Sequence, residues 1–182
     1  NVLCVGKLAK APALDTVLST MKNKIIINII SISLIFLIDR FSKLLIIYLK
    51  EENNQASFTL TSFLNINLVW NEGIAFGLLS FENDLGYSLL SFFIFIVILI
   101  LIIMLFKTEK LNRLAFIMVI GGALGNFFDR IYYSAVPDFI EIYYKSFHWF
   151  IFNVADIFIT LGVCCLIYVE LISKDGLNEK KS

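Results

Sequence analysis

Charge is scarce in these 182 residues. Only 16% are Asp, Glu, Lys or Arg, against about 25% in a typical soluble domain. That shortage excludes a disordered chain, which needs high charge and low hydrophobicity. An excess of either sign is absent too: 15 Lys and Arg balance 15 Asp and Glu. A nucleic-acid binder needs a basic excess, so that class is excluded. Histidine occurs once, as His148 beside Trp149, and reads as an interfacial residue. No Ser–His pair is placed for nucleophilic catalysis, and no glycine loop is built to cradle phosphate. The three cysteines are Cys4, Cys164 and Cys165. The last two are adjacent on an apolar run and so face different directions on a helix. No His or Cys stands at metal-ligand spacing, and no metal or cofactor is expected. Proline is limited to two residues.

What is present is apolar. Hydrophobic residues make up 59% of the chain, 18 of them Phe, and mean hydropathy is +0.84. A soluble core this small has no room for that much apolar side chain. The composition predicts an α-helical integral membrane protein. Four runs reach the ~20 residues a spanning helix needs: Ile25 to Tyr48, Tyr87 to Phe106, Leu114 to about Tyr133, and about Phe150 to Ile172. Only the second carries no charge. Residues 1–20 are less apolar, and Met21-Lys22-Asn23-Lys24 reads as a natural start. They are therefore set apart as an added leader, with 21–172 as one membrane domain and 173–182 as a tail.

Loop charge orients the spans. Lys22, Lys24, Lys107, Lys110, Arg113, Lys174, Lys180 and Lys181 flank one side, and only Lys50 and Lys145 the other. The positive-inside bias places both termini in the cytoplasm. The 49–86 and 134–149 connections then face outward. Within the first, Asn65 to Trp70 alternates with Ile66, Leu68 and Trp70 on one side, and Phe58 to Thr61 alternates before it. That is strand periodicity. It predicts a small outward β-sheet over about 52–77, followed by a short interfacial segment at Leu78–Leu85; an irregular loop is the alternative.

Ionisable residues inside spans are costly and mark candidate sites. Asp39 stands ~21 Å beyond Ile25, and Asn126, Asp129 and Arg130 ~18–24 Å beyond Leu114, at ~1.5 Å per residue. Asn153 and Asp156 begin the fourth run, and Asp138 lies in the connection before it. All therefore reach one level, the outer part of the bilayer. Asp39 and Lys43 are spaced i,i+4, as an ion pair requires. Gly121-x-x-x-Gly125 allows close helix approach. Structural readings compete here: a buried Asp39–Lys43 pair, Asp129 neutralised by Arg130, and Asn126 and Asn153 as inter-helix hydrogen-bond partners. Asp138 and Asp156 fit such readings less well, because neither has a basic residue within four positions. Two carboxyls brought together where water is scarce share one proton. One can then activate water while the other polarises a carbonyl.

Four blocks, in this order, resemble the bacterial lipoprotein signal peptidases, or signal peptidase II. They are Asp39-Arg-Phe-Ser-Lys43; Asn71-Glu-Gly73-Ile-Ala-Phe76; Gly121 to Arg130 followed by Val136-Pro-Asp138-Phe139; and Phe152-Asn153-Val-Ala-Asp156. The resemblance extends from Met21 to about residue 172. One departure is Pro137, where the family usually has a non-proline apolar residue. The resemblance implies four transmembrane helices with an outward β-cradle and a short interfacial helix. It implies Asp138 and Asp156 as catalytic, with Asn71, Gly73, Asn126, Arg130 and Asn153 around the substrate. Asp39, Lys43 and Asp129 would support the site. The implied reaction removes signal peptides from diacylglyceryl-modified prolipoproteins, just before the lipidated cysteine. It takes place in the bacterial inner membrane, without cofactor, in a monomer surrounded by lipid. The outer sheet and Phe76 would cover the site. The competing readings are a prepilin- or presenilin-like protease, whose Gly-x-Gly-Asp block is missing; a channel or transporter, which would spread polar groups through the depth of the membrane; and an assembly subunit pairing through Gly121 and Gly125.

Overall fold

From Leu14 to Asn53 the sequence holds neither glycine nor proline, and the chain forms one 40-residue helix, α1. The computed structural model describes residues 14–53, 57–73, 84–108, 110–144 and 147–179. Residues 14–20, set apart above as leader, continue α1 without a break. Three further helices follow: α2 (Asp84–Lys107), α3 (Lys110–Tyr133) and α4 (Val154–Glu179). All four are long and apolar enough to cross a membrane. The fourth begins later than expected, because Phe150 to Phe152 belong to a strand and the helix starts at Val154.

The helix α3 is central. Within its most apolar stretch 61% of residues are buried, against 11–22% in the other three helices. Its neighbours turn Phe41, Phe92, Phe93, Leu161 and many more large apolar side chains outward, the surface a helix presents to lipid. Ile35 of α1, Leu105 of α2, and Phe116, Ile117 and Ile120 of α3 form the bundle core. Glycine sets the helix spacing. A Cβ on Gly122 would stand 2.5 Å from the Ala155 carbonyl oxygen of α4. One on Gly125 would meet the Asp39 carboxylate of α1. The Gly121/Gly125 pair thus packs against α1 of the same chain. At the opposite end of the bundle, Arg113 Nε donates to Asn28 Oδ1 at 2.7 Å and joins α3 to α1.

One end of the bundle carries a four-stranded antiparallel sheet in the order β1 (Ser57–Thr61), β2 (Leu64–Asn71), β3 (Val136–Tyr144), β4 (Phe147–Phe152). The hairpin β1–β2 falls where alternation predicted it. The other half comes from the 134–149 connection and the first residues of the fourth apolar run, where no strand is expected from the sequence. Its strand nature was hidden because residues 136–139 are all buried. A strand covered on both faces shows an apolar run rather than an alternation. Ile66, Leu68 and Phe139 pack against Ile46 and Ile47 of α1, which seats the sheet on the bundle. Trp70 leaves the side shared by Ile66 and Leu68 after a register shift between Ile66 and Val69. It packs instead on Tyr133, with ring centroids 5.2 Å apart. Of the expected interfacial segment, residues 78–83 lie outside the described residues, and Leu85 belongs to α2.

Candidate active site

Asp138 owes its position to the sheet. Ser134, at φ 56°, ends α3 in the left-handed conformation common at helix C-termini. The chain then turns into β3, where Val136 lies opposite Asn71 and Asp138 opposite Val69 of β2. The Asp138 side chain is buried and accepts two amide hydrogen bonds. Asn71 Nδ2 donates to Oδ2 at 2.8 Å, and Asn153 Nδ2 donates to Oδ1 at 2.5 Å.

Asp156 is placed by a helix start. Asn153 precedes the first residue of α4, and its Oδ1 accepts from the Asp156 amide at 3.1 Å. The Asp156 Oδ2 accepts in return from the Asn153 amide at 3.1 Å. This is a reciprocal capping box with Asn and Asp in the roles usually taken by Ser/Thr and Glu. Its spacing, N-x-x-D before an apolar run, is a sequence signal for the start of α4 that the hydropathy reading passed over. The other Asp156 oxygen, Oδ1, accepts from Asn126 Nδ2 of α3 at 2.8 Å. Asn153 therefore touches both aspartates, and Asn126 ties the second to α3.

Beneath lies a closed charge cluster. Lys43 Nζ donates to Asp39 at 2.7 Å, Asp129 at 2.6 Å and Asn126 Oδ1 at 2.8 Å. The Lys43 side chain is 0% exposed, so a charge there requires these partners. Asp39 turns its remaining oxygen to the Ala155 amide of α4, at 2.8 Å. Arg40, not singled out from the sequence, completes the cluster. It pairs with Asp129 and donates to the Tyr133 hydroxyl at 3.0 Å. It also lies over the Phe128 and Tyr133 rings, at 5.3 and 5.2 Å. Two cations thus meet two carboxylates. Asp129 is held by Lys43 and Arg40 rather than neutralised by its neighbour Arg130, because successive helix residues point apart. Arg130 instead donates to the Asn126 and Gly73 carbonyls, at 3.2 and 3.1 Å, while Asn71 Oδ1 accepts from the Gly73 amide at 3.0 Å.

Six of the residues expected from the sequence line one cavity of about 210 Å³: Asn71, Asn126, Arg130, Asp138, Asn153 and Asp156. Ile94, Ala123, Val136 and Ile159 supply its apolar wall. Gly73 supports the rim through Arg130 and Asn71. Asp39, Lys43 and Asp129 stand behind it. Burial, followed by the nearby Asp156 carboxylate, pushes the Asp138 carboxyl up to about 6, against the opposing pull of the two amides and Lys43. An acid raised in this way sits beside a second carboxylate in a cleft with hydrogen-bond donors. That arrangement suits proton transfer to and from a bound carbonyl compound.

Comparison with known proteins bears on the family and the architecture. A family model described as Signal peptidase (SPase) II matches residues 31–172. The lipoprotein signal peptidase of Pelagibacter ubique (strain HTCC1062) is 46% identical over 156 residues, covering 86% of this chain and 94% of that protein. The lipoprotein signal peptidase of Rhodopseudomonas palustris (strain TIE-1) is 34% identical over 146 residues, covering 78% and 89%. A bacterial membrane enzyme solved by the in meso method at 2.3 Å has the same architecture. Its TM-score is 0.64 at 30% identity, over 85% of this chain and 92% of the other. With its match spanning most of the four helices and both halves of the sheet, the chain belongs to the signal peptidase II family.

Proposed function

We propose that this chain cleaves the signal peptide from diacylglyceryl-modified prolipoproteins, just before the lipidated cysteine, by water activated between Asp138 and Asp156. The observation that carries this is Asn153. It donates its amide to Asp138 while capping Asp156, so one residue ties both carboxyls to the same cavity. The raised Asp138 is the member that holds the proton and donates it towards the scissile carbonyl. Asp156 takes a proton from the water. A C–O bond forms and the carbonyl becomes tetrahedral. As the C–N bond breaks, the proton taken by Asp156 passes to the departing amine, and a proton from the tetrahedral hydroxyl returns to Asp138, leaving a free carboxyl on the signal peptide and the dyad as it began. Arg130, Asn71 and Asn126 hold peptide carbonyls where water is scarce, which offsets the cost of burying them.

Topology supports the same reading. The charge bias across the loops supports cytoplasmic termini, with the sheet end at the outer face of the inner membrane. A diacylglyceryl anchor holds its peptide bond near the membrane surface, at the level of the cavity. Both aspartates and all the described lining residues come from one chain, which supports a monomer in lipid.

The test is hydrolysis of a diacylglyceryl-modified precursor by the full chain in vesicles, with the unlipidated precursor alongside. The lipidated form is cut before its cysteine and the unlipidated form is left intact. Equal cleavage of both would overturn the lipoprotein assignment. The same assay has an expected pH dependence. Asp138 is protonated below about 6, so the active form is lost as pH rises through that value. The alkaline limb of kcat/KM lies near 6 in the free enzyme, and that of kcat lies higher, because bound substrate excludes water from the carboxyls. A kcat/KM profile flat from pH 5 to 8 would remove Asp138 as the acid.

A further inference from the structure

A second cavity, of about 560 Å³, lies between α2 and α3. Arg130 lines both it and the aspartate cavity. Its apolar wall includes Phe92, Phe95 and Phe127. Its polar wall includes Tyr87 and Ser91, spaced i,i+4 on one face of α2. Three buried polar atoms here have no hydrogen-bond partner among the described residues: Tyr87 Oη, Ser91 Oγ and Arg130 Nε. They are the complete set of such side-chain atoms among the described residues, and all three belong to residues of this cavity.

A buried polar group without a partner is costly, so orphans gathered at one cavity call for a ligand. Arg130 Nε can only donate, and the two hydroxyls are free to donate as well. Each of the other two Arg130 nitrogens already gives one hydrogen to a backbone carbonyl, Asn126 or Gly73, and keeps a second for the peptide. One charged and two neutral donors beside three phenyl rings match acceptor oxygens attached to hydrocarbon. An ester does this better than a phosphate, whose full charge would face a single guanidinium nitrogen.

We propose that the α2–α3 cavity binds the ester carbonyls of the substrate's own diacylglyceryl group, with Tyr87 and Ser91 as specificity-determining residues. This rests on the function proposed above. The thioether linking the lipid to cysteine stands next to the scissile bond, and Arg130 spans the two cavities. The glyceryl esters thus lie within reach of Tyr87, Ser91 and Arg130 Nε while the peptide bond faces the aspartates. An acyl chain then runs along Phe92 and Phe95 into lipid.

The experiment compares two lipopeptide substrates that differ only in the glyceryl linkage, diester against dialkyl ether. They are cleaved by the full chain in phosphatidylglycerol–phosphatidylcholine vesicles. The parent prefers the diester by about tenfold in kcat/KM. Tyr87→Phe and Ser91→Ala each lower diester kcat/KM by about three- to tenfold, the size of a neutral hydrogen bond, and leave ether cleavage unchanged. Equal loss on both substrates means a packing role, and unchanged selectivity means no ester contact; either overturns the proposal. Repeating the assay in ether-linked phospholipid vesicles separates the sources. Selectivity that vanishes there assigns the cavity to a bilayer lipid and also overturns it. A parent that cuts neither substrate overturns the protease reading as well, whereas a parent that cuts both equally overturns this inference alone.

Discussion

Asp138→Asn and Asp156→Asn each lower kcat for precursor cleavage by roughly 10²–10⁴-fold, the range for removing a positioned acid or base. The substitutions change almost nothing else. Asparagine keeps the volume, and at position 138 its new donor is met by rotating the Asn71 amide, at the expense of the contact from the Gly73 amide. At 156 the acceptor for the Asn153 amide is retained by one oxygen, at the expense of the Asn126 contact. The stability cost at 156 is bounded by that of losing a helix cap, about 0.5–2 kcal/mol. Both variants therefore remain folded by thermal unfolding in detergent, while single-turnover cleavage of a lipidated precursor is lost. Because the two carboxyls act as a unit, the double variant is no slower than the worse single one. A single variant that retains parental turnover would remove the dyad. Losses that add in the double variant would show independent roles.

Lys43→Met lowers stability by about 3–5 kcal/mol, the cost of breaking a buried ion pair by removing one partner. Methionine fills much of the space but leaves Asp39 and Asp129 buried near one another with Arg40 as the remaining cation. It also frees Asn126 Oδ1, so the contact from Asn126 to Asp156 loses its backing. Tm falls and turnover falls with it. The companion variant K43M/D39N removes one anion together with the cation. It recovers part of the lost stability, because exchanging a whole buried pair for neutral groups costs far less than orphaning one member. An unchanged Tm for Lys43→Met, or a companion no more stable than the single variant, would contradict this view of the cluster.

Local patterns carried much of the fold. Four apolar runs marked four helices, and their interiors agree with the structure because a spanning segment has a minimum length set by the bilayer. Alternation from Phe58 to Trp70 marked β1 and β2. The Asp39–Lys43 pair was legible because its geometry is intrinsic to an α-helix. Elsewhere local pattern failed for identifiable reasons. Strand β3 is buried from Val136 to Phe139 and has no alternation to read. The α4 start was displaced because Phe150 to Phe152 satisfy a hydropathy count equally well as strand or helix. The Asp129–Arg130 neighbours suggested mutual neutralisation, but the helix turns them into different company.

The scarcity of charge thus determined the solvent, the number of spans and the level at which polar groups gather. Those are one-dimensional properties: length, composition and distance along a helix. Which carboxyls meet is a property of packing. Asp138 reaches Asn153 because β3 pairs with β2 and turns back through β4. Lys43 reaches Asn126 and Asp129 across α1 and α3, more than eighty residues apart in the chain. Glycines 121 and 125 let α1 and α3 approach closely enough for these contacts to form, and Gly122 does the same for α4. Hydrogen bonds act over about 3 Å, and only the tertiary structure brings residues from separate elements within that distance.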